Sequence, residues 1–272
     1  MSQGLLSVTV VYLLVATSAG LAQETPTAPA ATRSEADCTG YIAQTPVPTA
    51  IYVSGGADDY FHSPVRLFGA GDSVFLHARG TTSLAAGAEY ALVRPAEFLF
   101  ETLRYQDERR TVRQLGMPYE DVGRVKVTRV TPEGAIAEVT FECGPVSPGD
   151  LAVPYQARTI PAYTPSQPFD RFVPPNGKLV GEITAAKNNA ETLGTGDIAY
   201  LNIGLSNAVK PGQRYRVFNA PSPYYRLLAA YLPTPRESLG ELVILSTQEK
   251  SSVGIIVGAT REVSLGDGVE LE

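Results

Sequence analysis

Along most of the chain the apolar positions come in short runs, separated by Gly, Pro, Asn and Asp. The stretch Gly123-Arg124-Val125-Lys126-Val127-Thr128-Arg129-Val130 alternates between apolar and polar residues, which sets Val125 and Val127 on one face of a strand. Ile136-Ala137-Glu138-Val139-Thr140-Phe141 follows as the next strand, across the turn Thr131-Pro132-Glu133-Gly134. Gly71-Asp72 introduces the run Val74-Phe75-Leu76, as a turn feeding a strand does. Leu84-x-x-Gly87-x-x-Tyr90-x-Leu92-Val93 reads as a tight turn and then a strand, and Gly149-Asp150-Leu151-Ala152-Val153 closes the set. Residues 103–114 suit at most a turn or two of exposed helix. The pattern predicts about five short strands, the rhythm of a small antiparallel barrel.

The pattern then occurs a second time. Gly69-Ala70-Gly71-Asp72-Ser73-Val74-Phe75-Leu76 matches Gly194-Thr195-Gly196-Asp197-Ile198-Ala199-Tyr200-Leu201, a displacement of 125 that also pairs Gly87 with Gly212 and Tyr90 with Tyr215. From Val122-Gly123-Arg124-Val125 onward the displacement is 117, pairing Val139 with Ile256 and Gly149-Asp150 with Gly266-Asp267. One register held across turn and strand positions marks a duplication. The change in displacement falls between the second and third predicted strands, so the loops 94–121 and 219–237 are where the copies differ most in length.

These runs divide the chain. Residues 1–22 carry the apolar stretch Leu5 to Ala22, which ends Gly20-Leu21-Ala22 and reads as a cleaved signal peptide, although no Lys or Arg precedes it. The alternative is a retained anchor, since about 18 apolar residues just span a bilayer. With cleavage, no transmembrane segment is expected in the mature chain. Residues 23–45, rich in Pro, Ala and Thr, are expected to be disordered. The first module covers 46–155, a Pro-rich linker 156–177, and the second module 178–272. The predicted fold class is all-β, with two tandem small SH3-like antiparallel barrels joined by that linker.

Charge and composition narrow the chemistry. The net charge is −6 with no basic run, which argues against nucleic acid as a partner. Cys38 and Cys143 are the only cysteines, and export permits a disulfide between them; the alternative is a buried free thiol at Cys143. Asp72, Asp150, Asp197 and Asp267 each follow Gly at matched positions, which suits turns bonding their own backbone better than catalysis. His62 and His77 are the only histidines, and His77 corresponds to Asn202, so a shared metal site is not expected. Asp58-Asp59-Tyr60-Phe61-His62 is a loop with some potential for ligand contact. Nucleophile and phosphate-cradling motifs are absent, so neither an enzyme nor a cofactor is expected. The remaining candidates are aromatics in the two loops: Phe98, Phe100 and Tyr105 in one, Tyr224, Tyr225 and Tyr231 in the other. Such residues anchor protein partners or stack on sugars, unless they fold back onto their own barrel.

The order Gly-x-Gly-Asp, Val209-Lys210-Pro211-Gly212-Gln213-Arg214-Tyr215-Arg216-Val217, then Val122 to Val130, then Ala135-Ile136-Ala137-Glu138-Val139, then Gly149-Asp150 resembles the C-terminal domain of flagellar assembly protein T. The resemblance covers roughly 60–155 and 178–272. It implies an SH3-like barrel and an exported location, in the periplasm or associated with the outer membrane. The tandem arrangement departs from that family, and no counterpart of its other domains is recognisable. The expected role is a non-catalytic structural or interaction module of the cell envelope, bound to other envelope proteins through the two loops or a free strand edge. The alternative is a protein that binds cell-wall glycan, peptidoglycan being the possible ligand; a third reading is an enzyme with a non-standard site.

Overall fold

A computed structural model of the chain describes residues 27–57, 67–80, 83–96, 106–164, 170–219 and 236–272. Three short elements come first: β1 (Ala28–Pro29), α1 (Arg33–Asp37) and β2 (Tyr41–Ala43). The first module comprises β3 (Ile51–Gly56), β4 (Ser73–Ala78), β5 (Glu89–Pro95), α2 (Gln106–Leu115), β6 (Met117–Thr131), β7 (Gly134–Glu142) and β8 (Leu151–Pro154). After β9 (Ala162–Tyr163), the second module runs through β10 (Val180–Ala186), β11 (Thr192–Leu193), β12 (Ile198–Leu201), β13 (Arg214–Phe218), β14 (Ser238–Thr247), β15 (Ser252–Ala259), β16 (Val263–Ser264) and β17 (Gly268–Leu271).

Both modules close into antiparallel barrels of six strands, one more than the pattern predicts. The additional strand is the first of each module, β3 and β10. The cyclic order is β3-β4-β7-β6-β5-β8 in one and β10-β12-β15-β14-β13-β17 in the other, which is the same topology. Each barrel is filled by its own core: Val53, Leu76, Leu92, Val125 and Val139 in the first, Ile183, Leu201, Tyr215, Leu242 and Ile256 in the second. Closure pairs every barrel strand on both sides, so among the described residues the barrels offer no free strand edge.

The duplication is written into the turns. Gly71, Gly149, Gly196 and Gly266 all have φ between 90° and 97°, the left-handed backbone that the third position of a type II turn requires. In each turn the following Asp accepts from the backbone N–H three residues back: Gly69 to Asp72 at 2.8 Å, Ser147 to Asp150 at 2.7 Å, Gly194 to Asp197 at 2.7 Å and Ser264 to Asp267 at 2.7 Å. The four Gly-Asp pairs are therefore turn-forming units. The turn glycines then donate to matched positions on neighbouring strands, Gly71 to Val139 and Gly196 to Ile256, each at 2.8 Å.

The copies differ in what their outer faces meet. In the second barrel the cross-strand set Ile198, Ile255 and Val243 is buried. At the corresponding positions the first barrel has Ser73, Glu138 and Lys126, with Glu138 and Lys126 exposed. The covered face packs into one cluster with Ala30, Ala31 and Ile42 from the N-terminal segment and Val112 and Leu115 from α2. The N-terminal strap and a helix of the first module thus cover the second, and α2 is buried along one side where an exposed helix was expected.

Two further segments differ from expectation. From residue 27 the N-terminal segment is built rather than disordered. Thr32 and Glu35 form a reciprocal capping box on α1, β1 pairs with β9, and β2 pairs with β6. The described part of the Pro-rich stretch 156–177 is also held down, since Arg158 reaches into the first module and the Thr164 carbonyl accepts from Arg214 at 2.6 Å. Proline leaves few local hydrogen bonds, but distant side chains supply them here.

Candidate functional site at the junction of the two barrels

The junction is assembled around residues 36–42. Cys38 of this strap is disulfide-bonded to Cys143, just beyond β7, as the cysteine count suggested. Arg158 donates to both Asp121 carboxylate oxygens, at 2.6 and 2.7 Å, and also to the Ala36 carbonyl and the Thr39 hydroxyl. The Gly40 N–H donates to the same Asp121 carboxylate at 2.7 Å. Across the junction the Tyr200 hydroxyl donates to the Thr39 carbonyl at 2.7 Å, and Ser251 to the Ile42 carbonyl at 2.8 Å. The strap is therefore covalently and ionically tied to the first barrel and hydrogen-bonded to the second.

Gly40 is the point of closest approach. Its φ is +67°, and a Cβ there would lie 2.7 Å from the Tyr119 carbonyl and 2.8 Å from the Tyr200 hydroxyl. Gly40→Ala is expected to destabilise the protein by more than about 1 kcal/mol, because strained backbone and blocked contact act together. The loss should appear as a lower denaturant midpoint, accompanied by faster amide exchange at Tyr200 and Ser251.

Beside the strap lies a cleft of about 150 Å³ that both modules line. The first contributes Arg94, Glu120, Asp121 and the disulfide; the second contributes Lys187, Asn188 and Tyr200. Arg94 is held by both oxygens of Asp150, at 2.7 and 2.9 Å, and by the Pro145 carbonyl. Lys187 begins a 3₁₀ turn in which Asn188 and Asn189 have φ of 57° and 55°. Asn tolerates this left-handed backbone better than most residues.

Burial sets the proton affinities here. Glu120 is pushed above the ordinary carboxyl range mainly by desolvation, with Arg94 and Lys187 pulling the other way. Desolvation likewise raises the Tyr41 phenol to about 12 and the Tyr200 phenol further still. An acid whose folded pKa is raised favours the fold while protonated, and that contribution is lost as pH rises through the folded pKa. Glu120→Gln, which stays neutral, is therefore expected to raise the melting temperature at pH 7 relative to the parent. The gain should vanish at pH 4; an equal shift at both pH values would contradict a partly desolvated carboxyl.

The aromatic candidates Phe98, Phe100, Tyr105, Tyr224, Tyr225 and Tyr231, together with His62 and its neighbours 58–61, lie outside the described residues. The necks of their loops are described, and both are fixed. On the first side the Ala96 N–H donates to the Pro118 carbonyl at 2.9 Å. On the second, Asn219 and Glu237 exchange two hydrogen bonds, and Arg236 lies over the Phe218 ring while donating to the buried Glu270 at 3.0 Å. The loops leave the corresponding strand ends of the two barrels, β5 to β6 and β13 to β14. His77 sits at 5.2 Å from the Tyr52 ring, with Arg79 over the same ring. Among the described residues no group of three or more His, Cys, Asp or Glu is placed to hold a metal ion.

The residues that build the junction carry no sequence signature: Arg158 stands among prolines, and the cleft residues Glu120 and Lys187 belong to different modules. No protein-family model matches the chain, and no curated protein is significantly similar to it.

Proposed function

We propose that this protein is exported to the cell envelope and acts there as a non-catalytic platform that docks other envelope proteins through its two inter-strand loops. The observation that supports this reading is the pair of fixed loop necks on equivalent ends of two barrels that share one junction. Loops carried on a rigid base lose less entropy on binding, which is how scaffolds present recognition surfaces. The Cys38–Cys143 disulfide fits an oxidising compartment. No helix among the described residues is long and apolar enough to cross a membrane. The resemblance to the C-terminal domain of flagellar assembly protein T belongs to the same proposal, and favours the periplasm or the outer-membrane surface. Removal of the segment ending at Ala22 is part of it, and N-terminal sequencing of the secreted chain checks it.

A photo-crosslinking amino acid placed at Phe98, Phe100, Tyr224 or Tyr225 in living cells tests the docking role. The expected result is a defined protein adduct from at least one loop position and none from the exposed barrel residue Lys126. No adduct from any loop position would contradict it. Retention on isolated peptidoglycan that disappears with Tyr224→Ala/Tyr225→Ala would favour glycan binding instead, since stacking aromatics would then be the contact.

A further inference from the structure

We infer that the cleft between the barrels binds a small zwitterion of amino-acid size, with its ammonium group on Glu120 and its carboxylate on Lys187. The inference does not depend on the docking role of the loops. It begins from which charges in the cleft are already satisfied. Of the charged residues lining it, Arg94 is neutralised by Asp150 and Asp121 by Arg158, in both cases through two oxygens of the carboxylate. That leaves one carboxylate, Glu120, and one ammonium, Lys187, lining the same cleft. Neither makes a hydrogen bond or an ion pair within 4.0 Å among the described residues. They line the same cleft without closing on each other, with Arg94 also facing Glu120 and Glu35 also facing Lys187.

An opposed, unclosed pair is selective by sign. A simple anion would be drawn to Lys187 and repelled by Glu120, and a simple cation the reverse. A molecule with both charges satisfies both ends. The cleft's volume of about 150 Å³ suits a molecule of a few heavy atoms and excludes a folded partner. Its walls include the disulfide, the buried Tyr119 and Tyr200, and Arg94 held by Asp150. Polar groups converging from two modules on a pre-formed cleft are the usual form of a small-molecule site.

The test is an NMR titration of the oxidised, signal-free full chain. Glycine, the common L-amino acids and D-alanine are added separately up to tens of millimolar, with acetate and methylammonium as half-ligands. Amide signals of Gly144, Lys187 and Asn188 report on the cleft. The expected result is a saturable shift for at least one amino acid, and no comparable shift for either half-ligand. Glu120→Gln and Lys187→Met should each weaken that binding at least about tenfold, the scale of one charge-assisted hydrogen bond. Both substitutions replace side-chain groups that make no hydrogen bond or ion pair among the described residues, and an unchanged spectrum elsewhere confirms that the fold is retained. The inference is overturned if no amino acid gives a saturable shift, if acetate binds as tightly as the zwitterion, or if both variants bind like the parent. Failure of the loop crosslinks would leave this result untouched, and the reverse also holds.

Discussion

Replacing Cys38 and Cys143 together by serine is expected to lower the stability of the protein by about 4–5 kcal/mol. The two cysteines are 105 residues apart in sequence. Cross-linking so long a loop removes a large share of the freedom of the unfolded chain, and in the chain-entropy model the saving grows with the logarithm of loop length. The bond also works in the folded state, because Cys38 belongs to the strap that lies between the barrels. Loosening it removes cover from Ile198, Val243 and Ile255, which are apolar and would meet water. Urea unfolding of the Cys38→Ser/Cys143→Ser chain, set against the oxidised parent, measures the cost. A shift of less than about 1 kcal/mol would mean that the junction holds without the staple.

Arg158→Ala is expected to cost about 3–5 kcal/mol, because it leaves Asp121 charged and nearly inaccessible without its partner. The Asp121 side chain is 6% exposed and that of Arg158 26%. The guanidinium also closes on the Ala36 carbonyl and Thr39 hydroxyl, so its loss frees strap backbone as well. The energetic asymmetry supplies a second, sharper expectation. Removing both charges as Arg158→Met/Asp121→Leu should cost clearly less than Arg158→Ala alone, since no buried charge is then left unpaired. If the double variant were the less stable of the two, the pair would be contributing net attraction rather than avoiding a penalty. The losses from Arg158→Ala and from the cysteine replacement should not add, because both act through residues 36–39.

The barrels were legible from sequence because their turns are. Gly-Asp recurs at fixed displacement, and only Gly adopts the left-handed backbone of these turns without cost. The first strand of each barrel was missed. Ile51-Tyr52-Val53-Ser54-Gly55-Gly56 ends in two glycines, and Val180-Gly181-Glu182-Ile183-Thr184-Ala185-Ala186 is weakly apolar, so neither reads as a strand by itself. Thr32-x-x-Glu35 is a capping-box signature that the surrounding Pro and Ala obscured.

The junction left a trace too. Ile198-Ala199-Tyr200-Leu201 and Leu242-Val243-Ile244-Leu245 are continuous apolar runs, whereas Val125-Lys126-Val127 alternates. A strand that is apolar on both faces is covered on both faces. Treating the two modules as equivalent hid that difference. The cleft was not legible at all, because Glu120 and Lys187 come to line one cleft only once the strap has folded between the barrels.

The central claim is that the two barrels and the strap form a single platform, and differential scanning calorimetry of the oxidised chain tests it most directly. One transition is predicted, with calorimetric and van't Hoff enthalpies equal, because the shared cluster couples the two cores. Val243→Lys/Ile255→Glu, which gives the second barrel the residues that the first has at those positions, should split the transition in two. Two separate transitions in the unmodified chain would contradict the account.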